Sequence, residues 1–320
     1  MENGIGISAR RNPVVFAVGC PRSGTTLLTR MLNAHPLLAM TPETHWIPKF
    51  YPGGEGDRMS AALTERLAGY HRICKLGITP EELQHLLHLP GETSYADFVC
   101  RFFDLYAGKV GKPLAGDKTP SYVRVIPFLH RLFPQARFVH LVRDGRDVAL
   151  SALSWNKNHK NVGRFSCWTA EPLITSALWW AWNVTQGRQA SDLLGAGGYL
   201  ELRYEALVAD PEGVGRQLCE FLQLPYDQAM AHFYEGHTRD VGKSSAKKAW
   251  LPPTHGLRDW RRQMSAEQLE LFEAAAGGVL TACAYERRFP LVSSAVQERV
   301  ASVHRVFEAE TQMLDQRPAR

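Results

Sequence analysis

Apolar positions along this chain fall into two rhythms. One is a short unbroken run closed by glycine or proline, and the other returns every three or four residues over a longer stretch. Val14 to Val18 is of the first kind: five apolar, mostly β-branched residues predict a buried strand, which Gly19 through Gly24 break before a helical rhythm opens at Thr26. That helix repeats Leu27, Leu28, Met31 and Leu32, and is predicted to stop at Ala34-His35-Pro36, because proline disfavours the helical conformation in the residue before it. From Leu37 to Phe50 the rhythm gives way to a polar cluster, Thr41, Glu43, Thr44 and His45, and Tyr51 to Asp57, rich in glycine and acid, reads as a surface loop. Helical patterns then run from Ser60 to Leu76, from Thr79 to Leu89 with a start signal in Thr79-Pro80-Glu81-Glu82, and from Ser94 to Lys109. They read as a helical block inserted between two strands.

The next stretch, from Leu114, contains AGDKTPSYV and continues through a helix near Val123 to Phe133 into a strand, Arg137 to Val142. This strand delivers Arg143-Asp144-Gly145-Arg146-Asp147 at its C-terminal end, ahead of a helix holding Ser151. Charged residues at that end of a strand stand at the crevice where open α/β sheets bind ligands. A tryptophan-rich helix (Leu173 to Leu194), a strand (Tyr199 to Arg203), a helix with a good start at Ser265-Ala266-Glu267-Gln268 and reaching Ala284, and a last amphipathic stretch (Ser293 to Leu314) complete the pattern. Strands alternating with helices point to a parallel sheet with helices on both faces. We take residues 1–290 as one domain, with the helical insertion at about 58–110, and 291–320 as a C-terminal amphipathic helix. The stripe of that helix, Val296, Val300, Val303, Phe307 and Leu314, suits packing on the parent domain or, as the alternative, the seam of a homodimer.

Composition narrows the partners. The 37 basic residues against 32 acidic ones are not gathered into a like-charge block, which suits an anionic small ligand better than a nucleic acid. Six cysteines lie far apart with no CxxC pair, an argument against a zinc site or a disulfide framework and for a reduced, cytoplasmic setting. No apolar run reaches the length of a membrane span.

The chemistry starts at Gly19-Cys20-Pro21-Arg22-Ser23-Gly24-Thr25-Thr26. Strand, glycine-bracketed loop and helix have the shape of the phosphate-cradling GxxxxGK[ST] loop, but Thr25 stands where the lysine belongs. Backbone N–H groups and the positive helix end still favour an anion. The lysine that serves the β- and γ-phosphates of a triphosphate is missing, and Arg22 brings charge from another direction, so the expected ligand bears phosphate without being ATP or GTP. A bland alternative is a tight βα turn using glycine for backbone freedom. The fold class expected is α/β, a P-loop-type three-layer α/β/α sandwich with a central parallel sheet, the helical insertion and C-terminal helices.

CPRSGTT after a strand, GDKTP before a helix and LVRDGRDVALS after a second strand together resemble the sulfotransferases that use 3′-phosphoadenosine 5′-phosphosulfate. PETHWIP, RYEALVADPE and the helix from Trp260 to Leu280 are similar to the branch that includes the tyrosylprotein sulfotransferases and related bacterial enzymes, and the likeness covers about Val14 to Tyr285. The resemblance implies that Arg22, Ser23, Gly24, Thr25 and Thr26 hold the 5′-phosphosulfate, that Arg143 and Ser151 hold the 3′-phosphate, and that Tyr204 contacts the adenine. It further implies Glu43 as the base, Lys118 and Arg22 as the cations at the leaving group, and His45, where tyrosylprotein relatives carry arginine, as an acid/base assistant or an acceptor-positioning group. No metal is expected. Each assignment has a plainer rival: a surface ion pair with Asp144 or Asp147 for Arg143, a core position for Tyr204, a capping or surface carboxylate for Glu43. His35 and His140 read as structural.

Two departures stand out. Trp155 occupies the position, four after Ser151, where tyrosylprotein relatives have another arginine, and the run Val241 to Trp250 leaves open whether Lys247 or Lys248 meets the cofactor, with Lys248 taken as the candidate. Trp46, Trp155, Trp168, Trp179, Trp180 and Trp182 are either core or the aromatic walls of a pocket for an apolar or aromatic small-molecule acceptor. The rival functions are a P-loop nucleotide-dependent phosphotransferase, which needs a lysine and a Mg²⁺-holding acid, and a non-catalytic module that binds an adenosine bisphosphate.

Overall fold

The computed structural model describes residues 14–53, 57–89, 94–155, 159, 161–235 and 258–315. In chain order, β1 (Val15–Val18) leads into α1 (Thr25–Ala34) and β2 (Leu38–Thr41). The short α2 (Trp46–Lys49) and the helices α3 (Ala61–Ala68), α4 (Pro80–Leu87) and α5 (Tyr95–Lys109) precede β3 (Leu114–Lys118). Then come α6 (Ile126–Leu132), β4 (Arg137–Val142), α7 (Gly145–Leu153), the long α8 (Pro172–Gly198) and β5 (Tyr199–Arg203). The chain closes with α9 (Tyr204–Ala209), α10 (Pro211–Leu222), α11 (Trp260–Gln263), α12 (Ala266–Ala282) and α13 (Ser294–Asp315).

The five strands pair in the order β2-β3-β1-β4-β5, all parallel. From β1 the chain crosses to β2 on one side, and from β4 to β5 on the other. The strand order therefore reverses between the C-terminal ends of β1 and β4, the place where such sheets open a ligand crevice. Apolar side chains of α1, α9 and α10 cover one face through Leu28, Met31, Leu207 and Leu218. On the other face Phe16 and Phe138 stack at 5.1 Å beneath Tyr122 and Phe133. This is the three-layer arrangement expected, and the capping signals at Thr79 and Ser265 both close as reciprocal boxes with Glu82 and Gln268.

Some boundaries differ from the pattern. The helical rhythm from Ser60 stops at Ala68, because Gly69 caps α3, and Cys74–Leu76 resumes only as a 3₁₀ turn. β2 falls inside a stretch that showed only its polar cluster: Leu38, Ala39, Met40 and Thr41 are all buried and so lack the alternation that marks a half-exposed strand. The stripe of α13 is covered from within the chain, with Val300, Val303 and Phe307 buried and the Phe307 ring 4.3 Å from that of Phe165. No helix among the described residues is long and apolar enough to cross a membrane. All six cysteines are unpaired.

Behind the crevice lies a buried ionic clamp. Arg146, fully buried, grips Asp144 through Nε and Nη2 at 3.0 and 2.8 Å, donates Nη1 to Glu273 on α12 at 2.9 Å, and lies 3.6 Å over the Trp260 ring of α11. Glu273 also accepts the backbone N–H groups of Arg288 and Phe289. One guanidinium thus joins α7, α11, α12 and the chain after α12. On β4, His140 is fully buried between Tyr199, whose hydroxyl lies 2.6 Å from Nδ1, and Gly187 of α8, where a side chain would strike the imidazole. Burial, helped by the charge of Arg188, pushes its pKa down to about 3.

Two stability experiments follow. Arg146→Ala is expected to lower unfolding free energy by about 3–5 kcal/mol, read as a fall in the urea midpoint, because it strands two buried carboxylates. For His140 the folded chain declines a proton that the unfolded chain accepts near 6.5, so stability falls as pH drops from about 6.5 toward about 3. The loss by pH 5 is about 2 kcal/mol, and His140→Gln is expected to flatten that part of the profile in urea titrations at pH 7 and pH 5.

Candidate active site

The loop between β1 and α1 sets the floor of the crevice. Gly24 caps α1 in the left-handed region, φ 94°, with no side-chain cap, so the positive end of the helix is presented without an acidic partner in its first turn. A Cβ at Gly24 would also sit 2.4 Å from the Tyr204 ring, so glycine is needed here for closeness as well as for φ. Ser23 is fully buried and its Oγ has no partner among the described residues. A buried hydroxyl without a partner is costly and points to a missing hydrogen-bonding group. Thr25 is buried at the first position of α1, and Thr26 follows half-buried. Arg22 is a non-glycine residue at φ 80°; its Nε donates to Ser151 Oγ at 3.0 Å and its guanidinium lies 5.0 Å over the Trp155 ring. Burial lowers the Arg22 pKa, Glu43 opposes this, and the charges of Arg258 and Arg143 add to the lowering.

The second wall comes from β4 and α7. Arg143 is buried, pairs through Nη2 with Asp147 at 3.2 Å and stacks 4.3 Å over the Tyr204 ring, while its Nε has no partner among the described residues. The surface pair expected as its plainer rival is therefore half present: Asp147 is engaged, but the arginine is interior and Asp144 belongs to Arg146. Trp180 fixes the turn from behind, donating Nε1 to the Arg143 carbonyl at 3.0 Å, and Gly145 is packed so closely on that indole that a Cβ would meet it at 2.4 Å.

The third wall is the junction of β2 and β3. Lys118, buried at the end of β3, places Nζ 3.1 Å from Glu43 Oε1, and His45 Nε2 lies 3.7 Å from the other carboxylate oxygen. The neighbouring Asp117 is fully buried and accepts from Thr41 Oγ1 at 3.0 Å and from Thr44 Oγ1. Thr119 Oγ1 accepts the backbone N–H of Thr44 at 3.1 Å, and His45 Nδ1 hydrogen-bonds Ser121 Oγ at 3.3 Å. Burial acts to raise the Glu43 pKa, but the hydrogen bond from His45 and the charges of Lys118 and His45 outweigh it and hold the carboxyl at about 2.

The structure thus brings Arg22, Ser23, Gly24, Thr25, Arg143, Ser151 and Tyr204 into one connected set around the β1 and β4 junctions, with Glu43, Lys118 and His45 joined to one another beside it. Lys247 and Lys248 lie outside the described residues. Of the two readings of the tryptophans, core is the one seen at Trp46, Trp179 and Trp180, all fully buried, and Trp182 packs on Phe165 and Phe307. Of the six, Trp155 is the one beside Arg22. Two residues escaped the sequence pattern. Arg72, from the turn after α3, donates Nη1 to the Glu43 carbonyl at 2.6 Å, and Arg258 donates Nη2 to Ser154 Oγ at 2.8 Å. An isolated arginine in a helical block, or one ahead of a tryptophan, carries no local signal for such contacts.

A buried orphan hydroxyl, a buried guanidinium with an unused donor and an uncapped helix start define a site for an anion, with a carboxylate–lysine pair alongside. The family model described as Sulfotransferase family matches residues 13–228. Protein-tyrosine sulfotransferase A of Caenorhabditis elegans is 25% identical over 242 residues, 75% of this chain and 57% of that protein. Protein-tyrosine sulfotransferase 1 of Danio rerio is 29% identical over 240 residues, 72% of this chain and 58% of that protein. The chain therefore spans less than two thirds of the length of these curated relatives. Among solved structures, the sulfotransferase domain of a Synechococcus olefin synthase has the same fold, with a TM-score of 0.56 at 24% identity, covering 93% of this chain and 96% of that one. Because the matched span runs from β1 through β5 and takes in every site side chain described above apart from Arg258, the chain belongs to the Sulfotransferase family.

Proposed function

We propose that this protein moves the sulfuryl group of 3′-phosphoadenosine 5′-phosphosulfate to an acceptor hydroxyl by in-line displacement, with Glu43 as the base. The observation that carries the reading is the 3.1 Å pairing of Lys118 with Glu43 beside a glycine loop that lacks the nucleotide-triphosphate lysine. The residues present suit the donor. Ser23 Oγ and Arg143 Nε are buried donors in want of an acceptor, and the start of α1 is open to an anion. Ser23, Gly24, Thr25, Thr26 and Arg22 would hold the 5′ end, Arg143 and Ser151 the 3′-phosphate, and Tyr204 the base.

The donor supplies an activated sulfuryl group on a phosphate leaving group. Glu43 takes the hydroxyl proton of the acceptor, and Lys118 and Arg22 hold positive charge where negative charge gathers as the phosphate departs. A carboxyl held at about 2 is a weak base while Lys118 faces it. When an anion shares the charge of Lys118, the electrostatic hold on Glu43 relaxes and its basicity rises. His45, with its ring fixed by Ser121, assists at Glu43 or orients the acceptor. We place the acceptor among small molecules of apolar or aromatic character, with the Trp155 indole beside Arg22.

A phosphotransferase on the same core fits less well. Asp117 is the acidic residue next to the loop strand, yet it is fully buried with Oδ2 taken by Thr41 and Thr44, and Thr25 replaces the lysine.

Incubation with labelled phosphosulfate donor and a panel of phenols, alcohols and amines, without added metal, is expected to label at least one acceptor class. Turnover of ATP that requires Mg²⁺, with no sulfuryl transfer, would instead select the phosphotransferase. For the base, Glu43→Gln is expected to bind adenosine 3′,5′-bisphosphate as the wild type does and to transfer about a hundredfold more slowly. Unchanged turnover would remove Glu43 from that role.

A further inference from the structure

Three side chains meet end to end at the junction of β2 and β3. His45 puts Nε2 3.7 Å from Glu43 Oε2, and its other ring nitrogen, Nδ1, lies 3.3 Å from the hydroxyl of Ser121. Ser121 belongs to the 3₁₀ turn Pro120–Val125 that follows β3 and Lys118. Hydroxyl, imidazole and carboxylate therefore stand in a row, with Lys118 closing the far end at Glu43 Oε1, 3.1 Å away. In such a row the outer groups decide which ring nitrogen carries the proton.

The backbone around the row is tied down. Thr119 Oγ1 accepts the N–H of Thr44 at 3.1 Å and that of His45 at 3.4 Å, and the Tyr122 hydroxyl accepts the N–H of Ile47 at 3.1 Å. The turn after β3 thus holds the chain on both sides of His45 and itself supplies Ser121 to the ring. The imidazole stands nearly perpendicular to the Tyr122 ring, with centroids 6.3 Å apart. With backbone and ring so held, what remains to be set is the place of one proton.

Glu43 sets it from one side. Burial acts to raise the Glu43 pKa, and the pull of His45 and Lys118 outweighs it, so the carboxyl is ionised. An ionised carboxylate offers only lone pairs, and the nitrogen that faces it is favoured to bear hydrogen. Ser121 sets it from the other side, because a ring with hydrogen on Nε2 has its lone pair on Nδ1, ready to accept from the hydroxyl. At 3.7 Å the contact with Glu43 is longer than a made hydrogen bond, a looseness usual in active sites before the substrate arrives.

Resting on the sulfuryl transfer assigned above, we propose that Ser121 is a positioning residue for the proton-transfer step: its hydroxyl donates to His45 Nδ1, fixes hydrogen on Nε2 and turns that N–H toward Glu43 Oε2. Glu43 is then held at Oε1 by Lys118 and at Oε2 by His45, and presents its remaining lone pairs to the acceptor hydroxyl in one orientation. The acceptor proton passes to Glu43 as the acceptor oxygen bonds to sulfur and the phosphate oxygen leaves with the electron pair of the old S–O bond. His45 keeps its proton throughout. Without the Ser121 hydroxyl the ring is free to set a lone pair against the carboxylate, which repels it.

NMR of the imidazole nitrogens and steady-state kinetics test this together. Near pH 8 and without ligand, the His45 signals, recognised by their loss in His45→Gln, are expected to show hydrogen on Nε2 alone. Ser121→Ala is expected to give a mixture of tautomers and to lower kcat by about tenfold to a hundredfold, with the donor KM within about twofold of the wild type. Ser121→Thr, which keeps the hydroxyl, is expected to restore both the tautomer and kcat. Hydrogen on Nδ1, or on both nitrogens, in the wild type overturns the proposal. So does a Ser121→Ala protein that turns over like the wild type, or a Ser121→Thr protein as slow as Ser121→Ala. If the wild type labels no acceptor, the sulfuryl-transfer reading itself fails and takes this inference with it.

Discussion

The Glu43 side of the crevice depends on one buried carboxylate. Asp117 is a ladder partner of Thr41 in the β2–β3 pairing, and its Oδ2 accepts the hydroxyls of Thr41 and of Thr44, which flank Glu43 in the chain. β2 is a four-residue edge strand, the kind of element whose register is least secure. Side-chain hydrogen bonds across to Asp117 add a second tie, and Thr119 adds a third by accepting the N–H of Thr44. Burial raises the Asp117 pKa, and the hydroxyls of Thr119, Thr44 and Thr41 oppose that rise. Loss of those hydroxyls would leave a buried acceptor unsatisfied, at about 1–3 kcal/mol each. The carboxylate thus acts as a brace, and by bracing the backbone on both sides of Glu43 it sets where that carboxyl meets Lys118.

Electrostatics divide the crevice into two parts of opposite character. Around Glu43 the charges compensate: one carboxylate faces Lys118 and His45 and is held ionised. Around the β1 loop and α7 cations gather instead: Arg258 and Arg143 both act on Arg22, and Asp147 pairs with Arg143. A compensated pair next to a gathering of cations suits a site in which an anion arrives before a proton is taken. On the function proposed above, the anion would enter among those cations, and its arrival would weaken the hold of Lys118 on Glu43.

Much of this was legible in the residue pattern, and the gaps have physical causes. β1, β4 and β5 stood out because apolar runs ended at glycine or at charge, and the loop residues from Arg22 to Thr26 were identifiable by the missing lysine. β2 was invisible because burial on both faces erases alternation, and Leu38 to Thr41 merges with the polar cluster that follows. The tryptophans stayed ambiguous for the opposite reason. An indole reads the same in a core as in a pocket wall, and only packing shows that Trp179 is core while Trp180 serves the site from behind through the Arg143 carbonyl. Arg72 and Arg258 reach the site from segments whose local sequence concerns helix ends, so their roles exist only in three dimensions.

Two of the five non-glycine residues at positive φ among the described residues stand at the crevice; the others are Val14, Gln223 and Ala284. Arg22 and His45 both occupy the left-handed region, at φ 80° and 56°, where a non-glycine residue costs of the order of 1 kcal/mol or more. Glycine at either position would remove the strain, and the chain has glycine two residues after Arg22, at Gly24, where the side-chain space is filled by Tyr204. Each strained residue is held by contacts of its side chain or its N–H: Arg22 by Ser151 and Trp155, His45 by Ser121 and by Thr119. Those contacts hold an unfavourable backbone so that a guanidinium and an imidazole can be aimed into the crevice. The two turns follow β1 and β2 and so bracket β3, the strand that carries Lys118.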